Sequence, residues 1–71
     1  MDNSQVENSI GNKIKKLRHK NKLTQEKLAI KAGVPYTTLT KIESGVIKKP
    51  AVQTVAKIAK ALDITIDELI E

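Results

Sequence analysis

Several residue types that stabilise or equip small proteins are missing from this chain of 71 residues. It has no cysteine, so it can form neither a disulfide framework nor a thiolate metal site. It has no Phe or Trp and a single Tyr, so the core must consist of Ile, Leu, Val and Ala. These side chains suit short helices better than a sheet. The core is also thin, because a chain of this size buries only about 60% of its unfolded surface.

Further absences exclude several classes of function. No run of about 18 apolar residues and no secretory signal is present, so we expect a cytoplasmic protein without a membrane partner. His19 is the only histidine, and without Cys or a second His we expect it to be a surface residue. The chain has no nucleophile–base pair and no glycine-rich phosphate loop. We therefore predict no enzymatic activity, no metal, no cofactor and no small-molecule ligand.

Positive charge is concentrated in the middle of the chain. Residues 10–49 carry eleven Lys or Arg and two Glu, a net charge of +9, whereas residues 1–9 and 50–71 carry −2 each. This asymmetry favours a polyanionic partner, although a merely solvated lysine surface is the alternative. RNA is a poor candidate, because side chains that stack on bases are lacking.

Two short helical patterns meet at a glycine within residues 25–45. Their apolar stripes consist of Leu28, Ala29 and Ala32 in the first pattern and of Leu39 and Ile42 in the second. Gly33 can adopt the left-handed conformation that ends the first helix. Pro35 can open the next helix, so the connection is about three residues long, as in a helix-turn-helix.

The outward face of the second of these helices, at about residues 35–44, is polar. At roughly 100° per residue this face consists of Thr37, Thr40, Lys41 and Ser44, with Tyr36 in the exposed first turn. It is short, free of acidic residues and rich in hydrogen-bonding groups. Such a face is typical of a helix that reads base edges in the major groove of DNA.

A further helix is expected before this pair. It runs from an N-cap at Ser9 to about Lys20. Its apolar stripe consists of Ile10, Ile14 and Leu17. It ends at Asn21-Lys22. Asn is one of the few residues that tolerates a left-handed cap, and which of the two residues forms the cap stays open.

Two more helices are expected after the pair. The fourth begins after Ala51, which offers no capping side chain. Its core face is predicted to consist of Val52, Val55, Ile58, Ala59 and Leu62. Thr65 and Glu68 form a T-x-x-E capping box for a short fifth helix. Residues 1–8 are polar and aperiodic, which predicts a disordered or frayed N-terminus ahead of a single domain at 9–71.

This pattern resembles the Cro/cI-type helix-turn-helix of phage repressors, also called the xenobiotic-response-element type. The matching positions are Gln25, Leu28, Ala29, Ala32, Gly33, Val34, Leu39, Ile42, Glu43 and Gly45. Nearly all of residues 10–71 is covered. The chain departs from the family at Lys22 and Asp63, where Gly is usual, and at Ala51, where Ser or Thr often caps. The resemblance implies a compact all-α, five-helix DNA-binding domain whose helix-turn-helix is formed by helices 2 and 3.

The resemblance also implies roles for three residues near the helix ends. Arg18 would form an ion pair with Glu43 and join the first helix to the end of the third; the alternative is a surface cation. Gln25 would contact a DNA phosphate together with the free N–H groups of its helix end. Its alternative is an ordinary exposed residue at a helix start.

The remaining contacts implied by the resemblance lie on and after the third helix. The residues expected to contact bases are Tyr36, Thr37, Thr40 and Lys41. Those expected to contact phosphates, besides Gln25, are Thr38, Ser44, Lys48 and Lys49. Two alternatives remain open: Tyr36 can simply cover the core, and Thr40 can serve only solubility.

The sequence therefore predicts a repressor-like transcription regulator of prokaryotic or phage origin, associated with the nucleoid. It would bind double-stranded DNA at a roughly palindromic operator, as a homodimer with half-sites about 34 Å apart. The dimer interface is predicted at Ile47, Ile66 and Ile70. The alternative is a DNA-targeting or oligomerisation domain of a larger enzyme or toxin–antitoxin system that acts mainly through protein contacts.

Overall fold

A computed structural model describes residues 9–70, so the predicted N-terminal segment 1–8 and Glu71 lie outside the described residues. Within this range the chain forms five α-helices and no strand. The helices are α1 (Ile10–Lys20), α2 (Gln25–Ala32), α3 (Tyr36–Ser44), α4 (Val52–Ala61) and α5 (Ile66–Ile70). The predicted all-α, five-helix fold with a short α2–α3 turn is confirmed.

Side-chain caps begin three of the helices. The Ser9 hydroxyl accepts from the backbone N–H of Asn12 at 3.2 Å, and the Thr24 hydroxyl accepts from that of Lys27 at 3.1 Å. At α5 the reciprocal capping box is formed. By contrast α3 and α4 begin at Pro35 and Ala51, which provide no side-chain cap.

Three helices end in the same hydrogen-bonded turn, in which a residue with positive φ and its successor both donate to the last helical turn. The residues with positive φ are Lys22 (58°), Gly33 (72°) and Asp63 (60°). Of the two residues predicted to end α1, Lys22 takes the left-handed conformation, and Asn21, the more tolerant residue type, does not, since its φ is −88°. A non-glycine residue there costs roughly 1–2 kcal/mol, so Lys22 and Asp63 store local strain.

Every helix contributes to one core. The largest fully buried side chains are Ile14 of α1, Leu28 of α2, Leu39 and Ile42 of α3, Ile58 of α4 and Leu69 of α5. Helix α3 packs against α1 and α2, while α2 also packs on α4. One face of α3 is therefore fixed from behind, and its opposite face is left to solvent.

Helices α1 and α3 approach each other closely at Gly11. This residue is buried in the first turn of α1. A Cβ atom placed there would overlap the backbone carbonyl oxygen of Ile42 and crowd the Cα of Glu43. The absent side chain thus sets the distance between α1 and α3.

The stripe predicted for α4 is correct except at its first residue. Val55, Ile58, Ala59 and Leu62 are buried, but Val52 is 73% exposed. Val52 lies one turn before Val55, at the N-terminal end of α4 and beyond the edge of the core. The helical period places it on the right face, but no other element covers that end of the helix.

Candidate nucleic-acid interface

The polar face of α3 is presented to solvent as predicted from its period. Tyr36 is 51% exposed. Thr37, Lys41 and Ser44 are also exposed, whereas Thr38 and Thr40 are half-buried. The opposite face buries Leu39, Ile42 and Glu43.

Two hydroxyl groups on this face are already donating within the helix. Thr40 Oγ1 donates to the carbonyl oxygen of Thr37 at 2.8 Å, and Ser44 Oγ donates to that of Lys41 at 3.2 Å. Each hydroxyl oxygen can still accept a hydrogen bond while its proton is donated within the helix. Thr40 Oγ1 can therefore accept a further hydrogen bond without giving up its internal one.

The loop after α3 folds back onto the helix that it follows. Gly45 has a φ of 88°, and the N–H of Ile47 donates to the carbonyl oxygen of Lys41 at 3.0 Å. Lys48 and Lys49 follow directly and are exposed. Within residues 9–70 neither lysine forms an ion pair with a carboxylate. The loop thus places two uncompensated positive charges just beyond the C-terminal end of α3.

The structure brings Arg18 and Glu43 together in a buried, two-pronged ion pair. Arg18 Nε donates to Glu43 Oε2 at 2.8 Å, and its Nη2 donates to Glu43 Oε1 at 3.1 Å. Arg18 Nη1 donates to the carbonyl oxygen of Leu23 at 2.8 Å. The two side chains are only 9% and 1% exposed. This guanidinium group thereby joins α1, the end of α3 and the loop that leads into α2.

A neighbouring contact adds a fourth member to this cluster. Gln25 Nε2 donates to Glu43 Oε1 at 3.0 Å, so the first residue of α2 also bonds to α3. The sequence analysis did not suggest this contact, because the family resemblance implied only a phosphate contact for Gln25 and only Arg18 as a partner for Glu43. His19, the predicted surface residue, is exposed, and its Nε2 lies 3.2 Å from Arg18 Nη2.

A second surface is apolar and begins at the C-terminal end of α3, where Ser44 lines it. It is an open groove of about 820 Å³ between the start of α1, the loop before α4, and α5. The predicted dimer residues Ile47 and Ile66 are half-buried along it, and Ile70 is 59% exposed at its edge. The exposed Val52 also lines the groove, which the sequence prediction missed by assigning Val52 to the core. Lys48 and Lys49 lie on its border, so the groove adjoins the basic loop.

Residues 9–70 contain no cluster of three or more His, Cys, Asp or Glu side chains that could hold a metal ion. In this described part of the chain, no helix is long and apolar enough to span a membrane.

Comparisons with known proteins agree with this geometry. The helix-turn-helix family model HTH_3 matches residues 14–69. Among solved structures the chain is similar to SinR, described as the master regulator for biofilm formation, in a crystal structure with DNA. The sequences are 32% identical with a TM-score of 0.85, and the match covers 87% of this chain and 98% of the SinR chain. No curated protein sequence matches the chain significantly.

Proposed function

The chain belongs to the Cro/C1-type helix-turn-helix family, and we propose that it is a DNA-binding transcription regulator that reads a specific duplex site with α3. The observation that carries this proposal is the face of α3, which is polar, free of acid and exposed, on a helix whose back is buried. A helix of this kind fits the major groove. The bound state of SinR, a protein similar over 98% of its chain, supports the same ligand class.

Four residues on α3 are the candidates for base contacts. Lys41 is exposed and can donate to guanine O6 and N7. Thr37 is exposed one turn earlier and can meet a base edge or a thymine methyl group. Tyr36, at 51% exposure, offers an apolar ring to the same groove, and Thr40 offers an acceptor.

Phosphate contacts are proposed on both sides of this helix. Lys48 and Lys49 follow its C-terminal end, and Thr38 and Ser44 flank its base-reading face. Gln25 lies at the N-terminal end of α2, where helix amides attract anions. Each phosphate neutralised by a lysine adds about 0.9 to the salt slope, so affinity should fall steeply with salt.

The experiment that tests base reading is selection of binding sites from random duplex DNA at moderate salt. We expect the wild-type chain to enrich a palindromic site. We expect the Thr37→Ala/Lys41→Ala variant to enrich none, because each lost base contact removes about 1–3 kcal/mol of discrimination. Salt-sensitive, non-specific binding should persist in this variant, since its phosphate contacts remain.

A matched control is Lys60→Ala, which removes one exposed lysine from α4, a helix that carries none of the proposed DNA contacts. This variant should recover the wild-type site. If the double variant enriched the wild-type site equally well, the proposal that α3 reads the bases would be wrong.

We further propose a homodimer that presents one α3 to each half of the site. The apolar groove supports this, because Val52 and Ile70 are 73% and 59% exposed beside the half-buried Ile47 and Ile66. A small module buries little surface on DNA by itself, and twofold repetition doubles the specific contacts. A self-complementary groove next to Lys48 and Lys49 would also place both basic loops near one stretch of duplex.

Sedimentation of the free chain and of its complex with the selected duplex tests this interface. Val52→Lys/Ile70→Lys should raise the dimer dissociation constant by at least about 100-fold, because each aliphatic side chain is worth roughly 1.5–3 kcal/mol when buried. The matched control is Ile30→Lys, which replaces an isoleucine of α2 that is 76% exposed and lies outside the groove. If the wild-type chain, Val52→Lys/Ile70→Lys and Ile30→Lys dimerised equally well, the dimer interface would lie outside this groove.

A second candidate function is protein contact alone, as a targeting or oligomerisation domain. The same apolar groove favours it, because such a surface binds protein regardless of whether α3 meets DNA. Gel filtration with and without duplex at low salt separates the two: a stable dimer with no DNA affinity would support this second function and contradict the first.

A further inference from the structure

We infer that Glu43 is a positioning residue for DNA binding: it holds the Gln25 amide in the orientation in which that amide meets a backbone phosphate. This inference rests on the proposed function and deepens it. Its basis is the bond of 3.0 Å from Gln25 Nε2 to Glu43 Oε1, which crosses from the start of α2 to the end of α3.

The carboxylate determines which way the Gln25 amide faces. An ionised carboxylate can only accept hydrogen bonds, so the amide nitrogen must point at Glu43 and the amide oxygen must point elsewhere. One N–H of Gln25 is used in this bond and the second remains for another acceptor. The half-buried position of Gln25 further restricts the rotation of its side chain.

The carboxylate is itself fixed by Arg18. Both of its oxygens accept from the guanidinium group, at 2.8 and 3.1 Å. The guanidinium group is anchored in turn on the Leu23 carbonyl oxygen, two residues before Gln25. A planar, two-pronged contact fixes orientation as well as distance, which a lysine ammonium group would not do. The orientation of Gln25 is therefore determined by a chain of contacts that begins on α1.

Gln25 lies at the N-terminal end of α2, where backbone N–H groups are available to bind an anion. Thr24 satisfies the N–H of Lys27 with its hydroxyl and that of Leu28 with its carbonyl oxygen. The amides of Gln25 and Glu26 precede these and have no carbonyl within the helix to bond. A phosphate oxygen at this end would meet these amides and the second N–H of Gln25 together. The Glu43 carboxylate that orients Gln25 belongs to α3. The position of the phosphate contact is therefore fixed relative to the base-reading helix.

A double-mutant cycle tests the inference on the duplex recovered by selection. Gln25→Met removes the amide and keeps the shape of the side chain, and we expect about tenfold weaker binding. Arg18→Lys keeps the charge opposite Glu43 but frees the carboxylate, and we expect several-fold weaker binding in the wild-type background. In the Gln25→Met background, the same Arg18→Lys change should have less than about a twofold effect. Equal effects of Arg18→Lys in both backgrounds would show a merely structural role and overturn the inference.

Two further measurements separate positioning from stability. Replacing single phosphates of the duplex by methylphosphonate should identify one phosphate per half-site whose loss weakens the wild-type chain more than it weakens Gln25→Met, in which only the backbone amides still contact it. In the free protein, the side-chain amide signals of Gln25 in a nitrogen–proton spectrum should be distinct and shift in Arg18→Lys. Unshifted signals would overturn the inference and leave the proposed function intact. If the wild-type chain bound no duplex, the proposed DNA-binding function would itself be wrong. The inference about Gln25 would then fail with it, because there would be no phosphate for Gln25 to contact.

Discussion

Arg18→Met should destabilise the domain by about 3–5 kcal/mol, the cost of leaving one member of a buried ion pair without its partner. The Glu43 side chain is 1% exposed, and in this variant only the neutral amide of Gln25 would still donate to it. At roughly 0.05–0.15 kcal/mol per residue, a domain of this size has about 4–10 kcal/mol of total stability. The loss is a large fraction of this total, so the urea midpoint should fall markedly below that of the wild-type chain. Urea unfolding followed by circular dichroism measures this.

Arg18→Met/Glu43→Leu should recover most of the lost stability, because replacing both buried charges with apolar side chains removes the unpaired group. The control is Lys16→Met, an exposed cation of α1 whose loss should change stability by less than about 0.5 kcal/mol. If Arg18→Met cost no more than this control, the pair would contribute nothing to stability. The double variant should still bind DNA poorly, since it lacks the carboxylate that faces Gln25.

Gly11→Ala should destabilise the domain by roughly 1–3 kcal/mol or more, although it replaces glycine with the best helix former. Helix propensity alone predicts a gain of about 1 kcal/mol for this change. In the folded chain the added Cβ would overlap the carbonyl oxygen of Ile42, which belongs to the backbone of α3 and cannot rotate away. Helices α1 and α3 would have to separate, and separation costs packing at Ile14 and Ile42.

Thermal unfolding of Gly11→Ala beside Gly33→Ala distinguishes this steric effect from backbone strain. A Cβ at Gly33 would meet no atom within 4 Å, so its cost comes only from the positive φ of 72° and should be about 1–2 kcal/mol. Gly11→Ala should also weaken DNA binding of the folded fraction, because it shifts α3 relative to α1. An increase in stability on Gly11→Ala would contradict the close approach of the two helices.

Much of the fold follows from local patterns in the chain. The helical period of the apolar residues, Gly33 with Pro35, and the caps at Ser9 and Thr24 each depend on residues within one or two turns. The structure confirms five helices, the helix-turn-helix and the family. The outward face of α3 was also predictable, because once Leu39 and Ile42 point inward the 3.6-residue period determines where the other side chains point. The roles of these residues toward DNA remain predictions.

Two departures from the local patterns have physical causes. The left-handed residue after α1 is Lys22 rather than Asn21. The hydrogen-bonded turn requires a positive φ at that position, whichever side chain stands there. Val52 is exposed although the period of α4 places it on the inner face. A period identifies which face of a helix is apolar, but it does not say how far along the helix the neighbouring elements extend.

The sequence alone determined the helices, their order, the family and the polar face of α3, because these depend on neighbours within a few residues. Only the tertiary structure decided which distant groups meet. It placed Gly11 against the backbone of α3, joined Gln25 to the carboxylate that Arg18 holds, and left Val52 and Ile70 beside one groove. Such contacts depend on the distances and angles between helices, which arise when the whole core packs and which no short segment of the chain encodes.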